Sequence, residues 1–268
     1  MQRKDTVATG AVMLAEQRRQ IMLELVGRND TVSVSELAER FDASESTIRR
    51  DLDRLEAAGL LVKVHGGASS VATALKPSPF VASEPTMAEK RSLNAAEKRA
   101  IAAYAAGLIE PDDFVYLDAG STTQLMVELL PEPALRATFV TNSVSNALAL
   151  AARGVHAIVV GGDLKAGTEA IVGPGAIDAL SRYNFSKGFL GANGATREQG
   201  FTTPDTSEAM VKMLAAQHSA CRYVLADASK LGVVTPVTFS SFDAATLITC
   251  GSVDASYSTL SNVVEVTA

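Results

Sequence analysis

Six residues between positions 44 and 54 carry the first chemical signal in this chain. Ser44, Ser46 and Thr47 offer hydroxyls, and Arg49, Arg50 and Arg54 offer guanidinium groups. Arginine donates two parallel hydrogen bonds to guanine, while serine and threonine serve a base edge or a phosphate. Lys63, His65 and Gly66 follow at a spacing that adds a cation, an imidazole and a side-chain-free approach to backbone phosphates. A second set lies further on, where short apolar runs end in small polar residues. Asp118, Gly120, Ser121, Thr122 and Thr123 form one group, and Thr141, Asn142 and Ser143 another. Gly161 and Gly162 end a third run, Gly191, Asn193 and Gly194 a fourth, and Asp227 with Lys230 a later one. Glycine permits close backbone approach, hydroxyls donate, and a helix that starts there presents unpaired N–H groups to an anion. Asp118, Asn142 and Asn193 suit sugar hydroxyls, and Lys230 suits a phosphate. Glu208 and Lys212 stand one helical turn apart, the spacing of an ordinary ion pair, with Glu208 kept as a ligand candidate.

The elements that must position the first set follow from periodicity. Apolar residues in 16–26 (Ile21, Leu23, Leu25, Val26) predict a first helix that Asn29 and Asp30 break. Ser35 is expected to cap a second helix, with Leu37, Ala38 and Phe41 inward and Asp42-Ala43 as the turn. Ser44 caps a third helix, and Ile48, Leu52 and Leu55 form its apolar stripe. Gly59 occupies its left-handed end. Residues 60–64 read as a strand that turns Lys63 outward, and His65-Gly66-Gly67 as the tip of a wing. Two helices, a turn, an arginine-bearing helix and a wing form a DNA reader with its third helix in the major groove. Between 15 and 68 there are eight Lys/Arg against ten Asp/Glu, so sequence-independent affinity for DNA is expected to be modest.

For the second set, runs at 114–118, 138–141, 157–160, 188–191, 222–226, 246–249 and 263–266 predict strands. Helical patterns fall at 122–130, 144–152, 175–183 and 205–218. Such alternation implies a parallel sheet covered by helices, in which ligands sit at the carboxyl ends of strands. The loop after residue 118 is neither a Walker A loop, for want of a lysine, nor a GxGxxG fingerprint. A helix over 94–108 is expected to pack through Ile101, Tyr104, Ala105 and Leu108.

The motifs SELAERF, STIRRDL and GLLVKVHGGA resemble the DeoR family of bacterial transcription regulators. DAGSTT, VTNS, VVGGD, FLGANG, GFTT and ADASK extend the resemblance through nearly the whole chain. The family implies a winged helix-turn-helix head and a C-terminal sugar-phosphate sensor, an α/β domain similar to ribose-5-phosphate isomerase and coenzyme A transferases. It further implies that Gly120–Thr123 take the phosphate. Gly191–Gly194 would lie where the isomerase keeps an acidic catalytic loop, and this chain offers Asn193 there, without a carboxylate.

Length and composition agree with two domains. The chain has 268 residues, 47% of them hydrophobic, and a net charge of −6, which excludes a protein that coats nucleic acid generally. The expected organisation is a disordered extension at 1–14, a DNA-binding domain at 15–68, a linker at 69–90 rich in proline and serine, and a sensor at 91–268. Met13 is an alternative start. Cys221 and Cys250 form neither a metal spacing nor a disulfide framework, and no apolar run reaches 18 residues. The expectation is a cytoplasmic homodimer or homotetramer with operator DNA and a phosphorylated sugar as partners. No catalytic residue, metal, cofactor or membrane is expected. The alternatives are a sugar-phosphate isomerase with an accessory DNA-binding head, for which Asp118, Glu208 and Asp227 are the candidate bases, and a constitutive DNA binder whose second domain only oligomerises.

Overall fold

A computed structural model describes residues 15–29, 31–64, 66–69 and 79–268. The chain divides between Pro77 and Ser78 into two units.

The head contains α1 (Ala15–Asn29), β1 (Thr31–Ser33), α2 (Val34–Phe41), α3 (Glu45–Ala57), β2 (Val62–Val64) and β3 (Gly67–Ser69). Its core joins Met22 and Val26 of α1 to Leu37 of α2 and to Ile48, Leu52 and Leu55 of α3. Met22 is fully buried, whereas Leu23 and Leu25 are only partly so. The α3 stripe is as the spacing predicts. The cap of α2 is not: Ser33, and not Ser35, caps it. The Ser33 hydroxyl accepts the Glu36 N–H at 3.1 Å, and the Glu36 carboxylate accepts the Ser33 N–H at 2.9 Å. This reciprocal capping box satisfies two orphan donors at once, which Ser35, inside the first turn, has no geometry to do. The Ser33 N–H and then its hydroxyl hold the Glu36 pKa below the usual glutamate value.

The wing is three-stranded, in the order β1-β3-β2, and antiparallel. β1 was not foreseen, because three residues beside a helix cap leave no alternating pattern. Gly66 has φ +79°, and a Cβ on Gly67 would lie 2.1 Å from the Val32 carbonyl oxygen. Gly67 is therefore required for strand-to-strand approach. His65 lies outside the described residues.

In the second unit, α4 (Met87–Ser92) and α5 (Ala95–Ala106) precede the sheet. The strands and helices are β4 (Phe114–Leu117), α6 (Ser121–Glu128), β5 (Thr138–Thr141), α7 (Val144–Ala152), β6 (Ala157–Val159), β7 (Asp163–Lys165), β8 (Ala170–Val172), α8 (Pro174–Leu180) and β9 (Phe185–Gly191). They continue with β10 (Gly194–Thr196), β11 (Gly200–Thr203), α9 (Thr206–Gln217), β12 (Ser219–Leu225), β13 (Val237–Ser240), β14 (Thr246–Cys250), α10 (Ala255–Ser258) and β15 (Val263–Val266). Seven strands form one sheet in the order β15-β14-β12-β9-β4-β5-β6, every pair parallel. Neighbouring residues along each strand serve opposite cores. Tyr116, Val140, Leu190, Val224 and Leu247 face the side of α8 and α9. Leu117, Phe139, Phe189, Leu225 and Ile248 face α5, α6 and α7. A sheet apolar on both faces needs helices on both, so three layers result.

Three expectations are corrected here. Residues 79–90, read as linker, belong to this unit: the Val81 N–H donates to the Val234 carbonyl at 2.9 Å, the Met87 N–H donates to Gly167 at 3.0 Å, and Met87 is buried. Tyr104 of α5 is 42% exposed, while Lys98, Ile101, Ala102 and Ala105 are buried. Two antiparallel additions, β10-β11-β13 and the hairpin β7-β8, interrupt the alternation.

Candidate functional site

On α3 the hydroxyl of Ser44 caps the helix, accepting the Thr47 N–H at 3.3 Å and bonding the Ser46 and Thr47 hydroxyls at 2.9 Å each. Arg49 is 63% exposed and pairs with Glu45, one turn earlier, at 2.9 Å. Arg50 and Arg54 are exposed, and among the described residues neither has an ion pair. Lys63 stands outward from β2 and pairs with Asp53 of α3, which raises its pKa through that hydrogen bond and charge. Behind this face Asp51 is buried. It accepts from Arg18 at 2.6 Å and Arg19 at 3.4 Å, both on α1, and so ties the arginine-bearing helix to the first. Asp51 was missed in the sequence because an acid within RRDL reads as a solvated position.

The second site is a cavity of about 320 Å³ in the α/β unit. Gly120, Ser121, Thr122 and Thr123 line it at the start of α6, with Gly191 and Asn193 after β9, Glu208 on α9, and Asp227 and Lys230 after β12. The first intrahelical bond of α6 runs from the Gln124 N–H to the Gly120 carbonyl. The N–H groups of residues 120–123 therefore point out of the helix end, where its dipole is positive. The Thr123 hydroxyl is spent on the Asp118 and Gly120 carbonyls. Those of Ser121 and Thr122 have no protein partner among the described residues.

Four lysines line the same cavity: Lys90, Lys98, Lys212 and Lys230. Lys98 is 5% exposed and donates to the Lys90 carbonyl, leaving two of its three donor positions. Burial lowers its pKa, Asp227 opposes this, and Lys230 and Lys90 add to it. Lys212 is buried against Asp118. Burial opposes its charge, but Asp118 and then Glu208 outweigh burial and hold its pKa above the usual lysine value. Lys90 and Lys98 escaped sequence reading because a lysine in an amphipathic helix resembles a surface residue. The Lys98–Ile101–Ala102–Ala105 spacing on a buried stripe was the available signal.

The remaining candidates have other work. Asp118 accepts from Lys212 and from the Gly191 N–H at 2.9 Å, so it sits beneath the cavity and does not face it. The side-chain oxygen of Asn142 accepts the Ala119 N–H at 2.9 Å, and its amide nitrogen donates to Ile171 at 3.3 Å. Thr141 donates to the Leu117 carbonyl at 2.6 Å, and Ser143 caps α7. These three, with Gly161 and Gly162, lie off the cavity because the β7-β8 hairpin covers the ends of β5 and β6: the Ile171 N–H donates to the Asn142 carbonyl at 2.7 Å. At Gly162 a Cβ would come within 2.5 Å of the Val172 carbonyl oxygen, and at Gly194 within 2.3 Å of that of Val233. Both glycines serve packing. Glu208 makes no pair with Lys212. It accepts from Lys165 at 2.9 Å and Thr168 at 2.6 Å. Asp227 accepts from Asn94 at 2.8 Å and from Ser229.

A winged helix-turn-helix with outward arginines, followed by a parallel α/β domain, defines a DNA-binding transcription regulator of two parts. The family model described as DeoR-like helix-turn-helix domain matches residues 18–74, and that described as DeoR C terminal sensor domain matches residues 93–251. The chain belongs to the DeoR family. The HTH-type transcriptional regulator FruR of Bacillus subtilis strain 168, itself uncharacterized, is 40% identical over 237 residues, covering 88% of this chain and 91% of that one. The lactose phosphotransferase system repressor of Staphylococcus aureus strain NCTC 8325 is 34% identical over 223 residues, covering 82% of this chain and 85% of its own. Among solved structures, ribose 5-phosphate isomerase A from Methanocaldococcus jannaschii covers 52% of this chain and 55% of its own at 19% identity and a TM-score of 0.39, a distant likeness of fold. No helix among the described residues is long and apolar enough to cross a membrane.

Proposed function

We propose that this protein is a repressor of sugar-metabolism genes in the cytoplasm, and that a phosphorylated sugar in the α/β cavity lowers its affinity for operator DNA. The observation that carries the reading is the convergence, in one cavity, of the open N-terminus of α6 with Lys98 and Lys230. In this reading the N–H groups of residues 120–123 and the hydroxyls of Ser121 and Thr122 take the phosphate. Lys98 and Lys230 neutralise it, and Asn193, Asn94 and Asp227 face the sugar hydroxyls. The name of the lactose phosphotransferase system repressor agrees with a sugar-linked role.

At the head, Ser46, Thr47, Arg49 and Arg50 read base edges, while Arg54, Lys63, His65 and Gly66 approach the backbone. Ser44 contributes through its cap. Glu45 releases Arg49 when guanine offers it two acceptors. Two copies of the chain would match two operator half-sites. The reading needs no metal or cofactor and no catalytic step. Isomerisation requires a positioned base, and Asp118, Glu208 and Asp227 are each engaged by a cation or by hydrogen-bond donors.

Calorimetry with fructose 1-phosphate, tagatose 6-phosphate and glucose 6-phosphate, using inorganic phosphate as reference, tests the site. The double substitution Ser121→Ala, Thr122→Ala is expected to weaken sugar-phosphate binding at least tenfold, the order of a charge-assisted hydrogen bond of about 1.5–3 kcal/mol. Operator affinity without sugar is expected to stay unchanged. Equal sugar-phosphate affinity in the double variant contradicts the assignment.

A further inference from the structure

Glu84 lies outside the cavity, yet it holds two of its walls. Its side chain is 11% exposed, and its two oxygens are divided between two lysines. One accepts from Lys90 at 2.8 Å and the other from Lys165 at 2.8 Å. Lys90 lines the cavity, and its carbonyl receives Lys98. Lys165 reaches on to Glu208, a second lining residue, at 2.9 Å and to Asp205 at 3.2 Å. These charges hold Glu84 ionised: burial opposes its charge, but Lys90 and Lys165 keep its pKa below the usual glutamate value.

Glu84 belongs to the stretch by which the chain, coming from the head, enters the α/β unit. Few backbone bonds hold that stretch. The Val81 N–H and Pro79 carbonyl pair with Val234, and the Met87 N–H reaches Gly167. Side chains supply much of the remaining attachment: Glu84 to Lys165 at 2.8 Å, and Arg91 to Gln124 at 3.0 Å and Glu169 at 3.2 Å, while Lys90 braces Glu84 from within the stretch.

We propose that Glu84 is a positioning residue that couples occupancy of the cavity to the segment leading to the head. A phosphate in the cavity competes with Glu84 for Lys90. Once Lys90 turns to the ligand, Glu84 keeps only Lys165, and the brace that ties the chain at residue 84 to α4 within residues 79–92 is lost. The ligand thus favours one arrangement of this segment over another, which is the condition for shifting an equilibrium. The inference rests on the proposed function above. Because Glu84 does not line the cavity, the ligand's own contacts survive its replacement, and coupling separates from binding.

The experiment uses the full chain and a fluorescein-labelled duplex selected by the wild-type protein from a random-sequence pool. Anisotropy gives the duplex Kd with and without saturating sugar phosphate, using whichever of the three hexose phosphates calorimetry shows to bind. Wild type is expected to show a ratio of about 5–150, the usual range of allosteric coupling. In Glu84→Gln the ratio is expected to fall below about 3, with the sugar-phosphate Kd equal to or tighter than wild type on the scale of such couplings. A Glu84→Gln ratio equal to wild type overturns the coupling role and leaves the proposed function standing. A wild-type protein that binds no sugar phosphate overturns both. Should Glu84→Gln fail to fold, hydrogen exchange on wild type decides. The amides of Val81 and Met87 are expected to exchange faster when sugar phosphate is bound, with β9 unchanged. Unchanged exchange at Val81 and Met87 rejects the proposal.

Discussion

The outer face of α3 and the floor of the α/β cavity use opposite arrangements of cations and carboxylates. On the outer face of α3 the pairs are exposed, with Arg49 63% and Glu45 54% accessible. In the α/β unit the central pair is sealed, with Lys212 4% and Asp118 1% accessible. An exposed pair contributes about 0–1 kcal/mol and exchanges partners readily, in keeping with the proposed trade of carboxylates for phosphates and bases. A sealed pair is costly to break, because the survivor is left charged and dry. It gives the cavity a floor of fixed shape. Position, more than the number of charges, separates the exposed Arg49–Glu45 pair from the structural Lys212–Asp118 pair.

The largest effect should come from breaking the sealed pair. Lys212→Met is expected to cost about 3–5 kcal/mol in denaturant unfolding of the full chain, followed by a probe in the sheet. A loss below about 1 kcal/mol, the range of an exposed pair, would erase the contrast. Arg49→Ala comes next and acts on binding: specific operator affinity should fall by about 1–3 kcal/mol, the worth of a bidentate base contact. Folding stability should change by less than about 0.5 kcal/mol. If selectivity among operator variants survives Arg49→Ala, that arginine meets only phosphate.

Smaller still is the cap of α2. Ser33→Ala should cost about 1 kcal/mol, read as faster hydrogen exchange at α2 amides with β4 and β9 unaffected. The smallest effect is a pH dependence. Glu36 has a folded pKa below its unfolded one, so its stabilisation is complete above the unfolded pKa and disappears as pH falls through the folded pKa. Between neutral pH and pH 3 the head of the wild type should lose more stability than that of Glu36→Gln. Identical acid profiles would show that the capping carboxylate contributes nothing measurable.

Much of the fold was legible in the residues. Seven apolar runs marked the seven strands, because a sheet buried on both faces demands continuous Val, Leu, Ile and Phe. The head was legible too, since Ile48, Leu52 and Leu55 can share a face only in a helix. Of the strand-end candidates, Gly120–Thr123, Asn193, Asp227 and Lys230 come together at one cavity, whereas Thr141, Asn142, Gly161 and Gly162 lie off it. The latter are set apart by the β7-β8 hairpin, three-residue strands with weak alternation that cover that part of the rim. Asp118 carried the chemistry of a ligand contact, but its partner Lys212 lies 94 positions away, a separation no local pattern reveals. Lys90 was hidden for a related reason, since its place at the cavity depends on α4 packing beside it, whereas Lys98 had only the buried stripe of α5 to mark it.

The central claim is that an anion held in the α/β cavity governs how tightly the head holds DNA. The most direct test is operator affinity by fluorescence anisotropy, at one fixed salt concentration, with and without a saturating sugar phosphate. The expected result is that the sugar phosphate raises the duplex Kd at least fivefold, the lower end of typical coupling, and that in Ser121→Ala, Thr122→Ala the same rise needs a sugar concentration at least about tenfold higher. A duplex Kd unmoved by a sugar phosphate that calorimetry shows to be bound would contradict it.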